Sequence, residues 1–215
     1  MAGRTLEIGD VRITWLGMSG FRIEGDGKLI YIDPYNITVD DEKRADIILI
    51  THGHFDHCSI EDIKKIVSAE TVIYATPDCT SKFAGRIDQM QLQLVKPGQE
   101  FHNENIIIET VPAYNTNKPF HSRANEYVGY IITIGGKRIY HAGDTDAIPE
   151  MEDIKVDVAL VPVSGKFVMT PEEASAVVNK FRPKIAIPMH ITVDEIDKAK
   201  KFKALVNKST VEVLC

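Results

Sequence analysis

Short apolar runs of strand length recur along the chain, separated by polar residues of the kind that make turns. Residues 11–16, 20–24, 28–33 and 46–51 are rich in Ile, Val, Leu, Tyr and Phe, side chains that fit a pleated, half-buried surface. Gly25-Asp26-Gly27 separates two of these runs as a hairpin turn would. Ser59, with Asp62 behind it and Ile63, Ile66 and Val67 following, predicts an N-cap and an acidic first turn opening an amphipathic helix. A strand over 71–75, a helix near 78–85 and strands over 92–95 and 106–111 carry the pattern to mid-chain. Strands then follow over 127–134, 138–141 and 156–163, a helix opens at Thr170-Pro171-Glu172-Glu173, and an apolar strand runs over 185–190.

The second set of runs repeats the first. Gly20 to Tyr31 aligns with Gly129 to Tyr140 at a constant offset of 109, and Ala45 to Ile50 with Val156 to Val161 at an offset of 111. Two halves, approximately 1–110 and 111–215, each a hairpin followed by a buried strand and a helix, predict two sheets packed face to face with helices outside. The competing reading is that any two hairpins share Gly-x-Lys-Ile by chance. No Pro/Gly/Ser-rich linker interrupts the chain, so a single domain over 1–215 is expected.

Composition narrows the function. Hydrophobic residues at 44% and charged residues at 26% describe an ordinary globular protein. A formal net charge of −6 disfavours a nucleic-acid partner, which calls for clustered Lys and Arg. Three cysteines, Cys58, Cys79 and Cys215, lie far apart in the sequence with no C-x-x-C pair, which supports no disulfide framework and suits a cytoplasmic location. The sequence carries no apolar stretch long enough to span a membrane and no visible secretion signal.

Against this background one segment stands out. Thr51-His52-Gly53-His54-Phe55-Asp56-His57 places three imidazoles and a carboxylate directly after the apolar run Ile47 to Ile50. These ligand types suit zinc and its first-row neighbours. On an extended backbone His52 and His54 project to one side and can share an ion; Asp56 and His57, beyond the turn, can face that ion or a second one nearby. Gly53 allows a backbone conformation that a side chain would hinder. Further ligands must come from elsewhere in the chain. Asp144, in Tyr140-His-Ala-Gly-Asp-Thr-Asp146, and His190, in Ile185-Ala-Ile-Pro-Met-His190, both follow strand ends.

With these residues in hand, the H-x-H-x-D-H segment, the later Gly-Asp and the final strand-terminal His resemble the metallo-beta-lactamase fold superfamily over nearly the whole chain. Thr14-Trp-Leu-Gly17, Val111-Pro-Ala-Tyr114 and Tyr140 to Asp146 are similar in particular to the branch of metal-dependent hydrolases that includes ascorbate-phosphate lactonases and N-acyl-phosphatidylethanolamine phospholipases. The resemblance implies an α/β fold, a four-layer αββα sandwich of two packed mixed sheets with helices on both outer faces, and metals at one edge. It implies His52 and His54 on a first ion, Asp56, His57 and His190 on a second, and Asp144 between them. Two positions depart from the pattern. Asn115 stands where a third imidazole of the first site is expected, so that either His121 folds back to replace it, or that ion has fewer protein ligands and His121 meets substrate or solvent. Met18 stands where the branch often carries His.

Other side chains have two readings each. His141 either supports the site or faces the core; Cys58 is a soft ligand or a buried thiol; Asp33 binds a ligand histidine or forms a turn. Trp15 reads as core, His102 as an exposed loop residue, and Ser19 and Ser164 as turn chemistry. Lys118, Arg123, Lys166 and Arg182 could bind an anionic substrate or be scattered surface charge. The expected cofactor is one or two divalent ions, zinc first, with manganese or iron as alternatives. A bound ion lowers the pKa of its water to about 7, so the expected activity is hydrolysis of a small-molecule ester, lactone, amide or phosphoester by metal-bound hydroxide, with Asp56 as proton acceptor. The alternative is a metal-binding or iron redox module, or a catalytically inactive member of the fold.

Overall fold

The computed structural model describes residues 5–38, 42–87 and 91–214. Seven strands form the first sheet in chain order: β1 Thr5–Ile8, β2 Val11–Gly17, β3 Gly20–Gly25, β4 Lys28–Ile32, β5 Ile47–Ile50, β6 Val72–Ala75 and β7 Leu92–Leu94. Pairs from β1 to β4 are antiparallel and those from β4 to β7 parallel. Helix α1 (Ile60–Ile66) and the single turn α2 (Thr80–Phe83) connect the parallel strands. The second sheet repeats this plan with β8 Glu100–Asn103, β9 Ile106–Pro112, β10 Val128–Ile134, β11 Lys137–His141, β12 Val158–Pro162, β13 Ile185–Met189 and β14 Thr210–Val211, and with helices α3 Pro171–Phe181 and α4 Ile196–Leu205. The strands divide between the sheets at residues 95–99, ahead of the expected boundary near 110. The hairpin of β8 and β9 belongs to the second sheet because β9 pairs with β10 over Ile107 to Pro112.

The two sheets pair alike at the positions that align in the sequence. Phe21 faces Ile32 and Gly25 faces Lys28; Tyr130 faces His141 and Ile134 faces Lys137, each at the offset of 109. Ile30 pairs with Ile47 and Ile139 with Val158, at offsets of 109 and 111. Asp46 accepts the Leu29 amide at 2.8 Å, and Asp157 accepts the Arg138 amide at 2.9 Å. A Cβ on Gly20 would lie 3.1 Å from the Asp33 carbonyl, and one on Gly129 2.9 Å from the Ala142 carbonyl. In both halves glycine thus lets the hairpin strand pass close to backbone just beyond its partner's end.

Period-two alternation sorts the strands into layers. Ile48, Ile50, Ile73 and Tyr31 pack outward on Ile60, Ile63 and Ile66 of α1, while Ile30, Ile32, Ile47 and Leu49 join Tyr130, Ile132, Ile139 and Leu160 in the core between the sheets. The Tyr130 hydroxyl bridges the two sheets, donating within reach of the Ile50 and Tyr74 carbonyls at 2.9 and 3.2 Å. On the far side Tyr140 meets Phe181 of α3 edge-on, with centroids 6.3 Å apart. Each fully buried Ile contributes about 1.5–3 kcal/mol, so the strand ends that carry the site rest on a rigid base. The result is the expected αββα sandwich.

The predicted caps form. Ser59 accepts from the Asp62 amide at 3.3 Å, and Thr170 and Glu173 make a reciprocal capping box at 2.8 and 3.2 Å with Pro171 in the first turn. Cys58 and Cys79, distant in sequence, are buried as free thiols in one cluster, where hydrogen bonding to Cys58 and burial raise the Cys79 thiol. Cys215 lies outside the described residues. Among the described residues no helix is long and apolar enough to cross a membrane.

Candidate metal centre

The carboxyl ends of β4, β5, β11 and β13 converge on one edge of the sandwich, and each delivers polar side chains there. After β5 the chain turns on itself, with the His57 and Cys58 amides both bonded to the His54 carbonyl at 3.2 and 2.8 Å. Gly53 serves this turn by close approach, since its backbone is not left-handed: its amide donates to Asp78 Oδ2 at 2.8 Å, and a Cβ would lie 2.7 Å from that oxygen.

Two groups of ligand atoms result: His52, His54, His121 and Asp144, and alongside them Asp56, His57 and His190. Asp144 joins the groups. Its Oδ2 lies 3.2 Å from His190 Nε2, 3.4 Å from His121 Nε2 and 4.0 Å from His52 Nε2, and its Oδ1 lies 3.3 Å from His57 Nε2. His54 Nδ1 stands 2.9 Å from His52 Nε2 and 3.1 Å from His121 Nε2. Asp56 Oδ2 is 3.6 Å from His57 Nε2 and 3.8 Å from His190 Nε2.

The far nitrogens of four rings are anchored, which fixes how the near ones point. His57 Nδ1 donates to Asp33 Oδ2 at 2.7 Å; the same oxygen takes the Thr51 hydroxyl at 2.7 Å, and Oδ1 takes the Thr51 amide at 2.8 Å. Having given its proton to Asp33, the Thr51 hydroxyl accepts from His52 Nδ1 at 3.0 Å. His121 Nδ1 donates to the Phe167 carbonyl at 3.2 Å, and His190 Nδ1 meets the Ser164 hydroxyl at 3.0 Å. Where Nδ1 donates to its anchor, as at His52, His57 and His121, the neutral ring presents its Nε2 lone pair toward the others, the tautomer a metal requires. His57 Nε2 and Asp144 Oδ1 are buried without a hydrogen-bond partner. Bare lone pairs set this close, with two buried atoms unsatisfied, fit a cation between them.

Electrostatics agree with this crowding. Burial holds His52 well below the ordinary imidazole range, and it also lowers His54 and His121. For His57 and His190 burial pulls the same way, but Asp144 outweighs it and both are raised. Burial would raise Asp144, yet His190 and His57 hold it well below the usual carboxylate range. Met18, Asp33, His121 and His190 all adopt left-handed backbone, with φ of 49°, 45°, 54° and 58°. Such conformations are uncommon outside glycine and gather where geometry is over-determined by function.

The positions left open in the sequence now have places. His121 reaches the cluster. Its loop is closed by the Asn115 amide donating to the His121 carbonyl at 2.8 Å, and Asp146 accepts the Thr116 amide at 2.8 Å and pairs with Lys118. Asn115 sits beside His121, its Nδ2 donating to the Phe167 carbonyl at 2.7 Å while its Oδ1 is buried without a hydrogen-bond partner. His141 is kept out of the cluster because both ring nitrogens serve backbone, Nε2 donating to Ser19 O at 2.8 Å and Nδ1 accepting from the Gly143 amide at 3.2 Å. Asp33 is a histidine partner as well as a turn residue, and Ser164 orients His190. His102 is exposed, on an edge strand where a loop was expected. Trp15 is core.

Comparison with known proteins places this geometry in a family. A family model described as a beta-lactamase superfamily domain matches residues 12–190. A UPF0173 protein of Pyrococcus furiosus is 35% identical over 211 residues, covering 95% of this chain and 94% of its own. A UPF0173 metal-dependent hydrolase of the same organism is 32% identical over 219 residues, covering 95% and 96%. A solved structure from Parabacteroides distasonis is 30% identical with a TM-score of 0.86, covering 98% of this chain and 97% of that one. The two-sheet sandwich, the histidine-rich turn after β5 and matches of this extent together show that the chain belongs to the beta-lactamase superfamily.

Proposed function

We propose that this protein is a metal-dependent hydrolase of a small-molecule ester, lactone, amide or phosphoester. In this reading His52, His54, His121 and Asp144 hold one divalent ion, and Asp56, His57 and His190, sharing Asp144, hold a second. The observation that carries it is the convergence of five imidazole nitrogens and two carboxylates, with four of the five rings tied down from behind by Asp33, Thr51, Phe167 and Ser164. All-nitrogen and carboxylate donors suit zinc, with manganese or iron as the other candidates. A relative of 32% identity carries the name metal-dependent hydrolase.

Divalent ions in such a site supply Lewis acidity toward a carbonyl or phosphoryl oxygen and acidify a water. The chain's own residues then set the geometry. Asp56 lies at the rim of the cavity above the cluster, where its carboxylate can take the proton of the attacking water. Asp144 is buried among four imidazoles drawn from both groups. With His121 supplying the third imidazole of the first group, the Asn115 departure no longer argues for an inactive scaffold. The cysteine usage favours the cytoplasm.

The test is elemental analysis of the purified protein, followed by turnover of an ester, lactone and phosphodiester panel before and after chelation. At least one ion per chain and turnover that is lost on chelation and restored by zinc or manganese are expected. Failure to take up metal, or turnover indifferent to chelation, refutes the reading.

A further inference from the structure

A cavity of about 390 Å³ opens directly above the candidate ligands. Its floor is formed by side chains of both ligand groups, and its walls are Met18, Phe55, Phe120 and Phe167. Phe55 is 71% exposed and Phe120 45% exposed. Water-facing phenylalanines gathered around one concavity mark a ligand groove, since scattered surface apolar residues have no reason to converge. Their rings are held in place: Phe120 meets Phe167 edge-on at 4.9 Å, and Phe55 meets Tyr35 at 6.0 Å.

Charge around the cavity is one-sided. Among the described residues no Lys or Arg lines it. Lys118 is engaged with Asp146 and, at 3.8 Å, with Glu173; the Lys166 ammonium lies 4.9 Å from the Phe167 ring centre. Apart from the ions, an anionic substituent above the floor would meet Asp56 and phenyl edges. A larger concavity of about 750 Å³ at the other end of β4 lacks this character, because its charged side chains pair with each other or with neighbours, as Arg12 does with Glu7 at 2.9 Å and Lys28 with Glu104 at 2.9 Å.

We propose that the substrate carries an uncharged, aryl-sized apolar group beside the hydrolysed bond, seated between Phe55, Phe120 and Phe167 over Met18, and that these side chains set specificity. The pocket volume suits a single ring or short branched chain better than a long lipid tail. Met18, whose carbonyl accepts the His190 amide at 3.0 Å, supplies apolar wall beside that ligand. This inference rests on the metal-centre reading above.

The probes are hydroxamic acids, whose metal-binding head is constant while the appended group varies, titrated calorimetrically into the zinc-loaded protein. Benzohydroxamic acid is expected to bind at least about tenfold tighter than acetohydroxamic acid, the scale of discrimination an apolar pocket achieves. A para-carboxylate on the ring should remove most of that gain, and a para-methyl should not. Phe120→Ala, at an exposed position, should collapse the aryl preference with zinc content unchanged; Phe55→Ala should do so in part, and Phe120→Leu should retain most of it. Equal binding of the two hydroxamates, tighter binding of the carboxylated ring, or an aryl preference surviving in both alanine variants overturns the inference while leaving the metal centre intact. Absence of bound zinc together with absence of any hydroxamate binding overturns the metal-centre reading, and this inference falls with it.

Discussion

Replacing Asp33 by Asn tests whether the orientation of His57 is set from behind. Asp33 is fully buried and its two oxygens take three donors: the Thr51 amide at 2.8 Å on Oδ1, and the Thr51 hydroxyl and His57 Nδ1 at 2.7 Å each on Oδ2. Asn keeps the size and one oxygen. If that oxygen stays with the Thr51 amide, the new NH2 faces two donors, and the simplest relief is for the His57 proton to move from Nδ1 to Nε2. That shift removes the lone pair now aimed at Asp144 and the proposed ion. A hydrogen bond to a charged partner is worth about 1.5–3 kcal/mol, and at about 1.4 kcal/mol per decade this predicts a loss of roughly ten- to a hundredfold in zinc affinity. Affinity would be read by competition with a chromogenic chelator near neutral pH, with far-ultraviolet circular dichroism and metal-free melting as checks on folding. A folded Asn variant that binds zinc as tightly as the wild type would refute the argument that Asp33 selects the His57 tautomer.

Three further outcomes are expected. His52→Ala and His190→Ala should each lower the metal-to-protein ratio by elemental analysis, and an unchanged ratio in both defeats the ligand assignment. Gly129→Ala places a Cβ 2.7 Å from the His141 carbonyl and 2.9 Å from that of Ala142; the overpacking should cost about 1–3 kcal/mol, a drop of roughly 2–12 °C in Tm for a chain of this size, and a Tm within a degree of wild type would show that the strands can part at no cost. Asp62 has burial acting against its charge, but hydrogen bonds from Lys65, Ser59 and the Ile37 and Asn36 amides outweigh it and hold the carboxyl below its ordinary value of 3.8. Because the folded value is the lower one, its stabilisation is complete above about pH 4 and is lost as pH falls through the folded value. Asp62→Asn should therefore lower Tm at neutral pH by a margin that closes on acidification, and a margin constant with pH would contradict the assignment.

What could be read from the sequence follows from how far each signal reaches along the chain. Strands buried on both faces, such as Ile47–Ile50 and Val158–Pro162, announce themselves as unbroken apolar runs, and the caps at Ser59 and Thr170 are local chemistry. Edge elements are quieter. β1 and β8 alternate between exposed and half-buried positions, and α4 buries Ala199 and Phe202 beneath a lysine-rich surface, so none has an apolar stripe to detect. Near 78–85 a 3-10 turn and a single helical turn replace the expected helix. The histidine cluster after β5 was legible because its members are adjacent in sequence. His121 was legible only as one of two readings, because its arrival depends on a loop closed by Asp146 and on left-handed backbone at His121 itself. Asp33 had two readings and Ser164 a sufficient local one as a turn residue, and only the approach of His57 and His190 from other segments shows the task each has at the cluster.

The two sheets are joined in the chain by residues 95–99, yet the proposed ligands come from both: the cluster after β5 from the first, His121, Asp144 and His190 from the second. Ions held there would rivet one half of the molecule to the other. Cutting the backbone within that connector should then yield two fragments whose reunion is governed by zinc concentration, turning the proposed metal centre into a controllable fastener for a split protein.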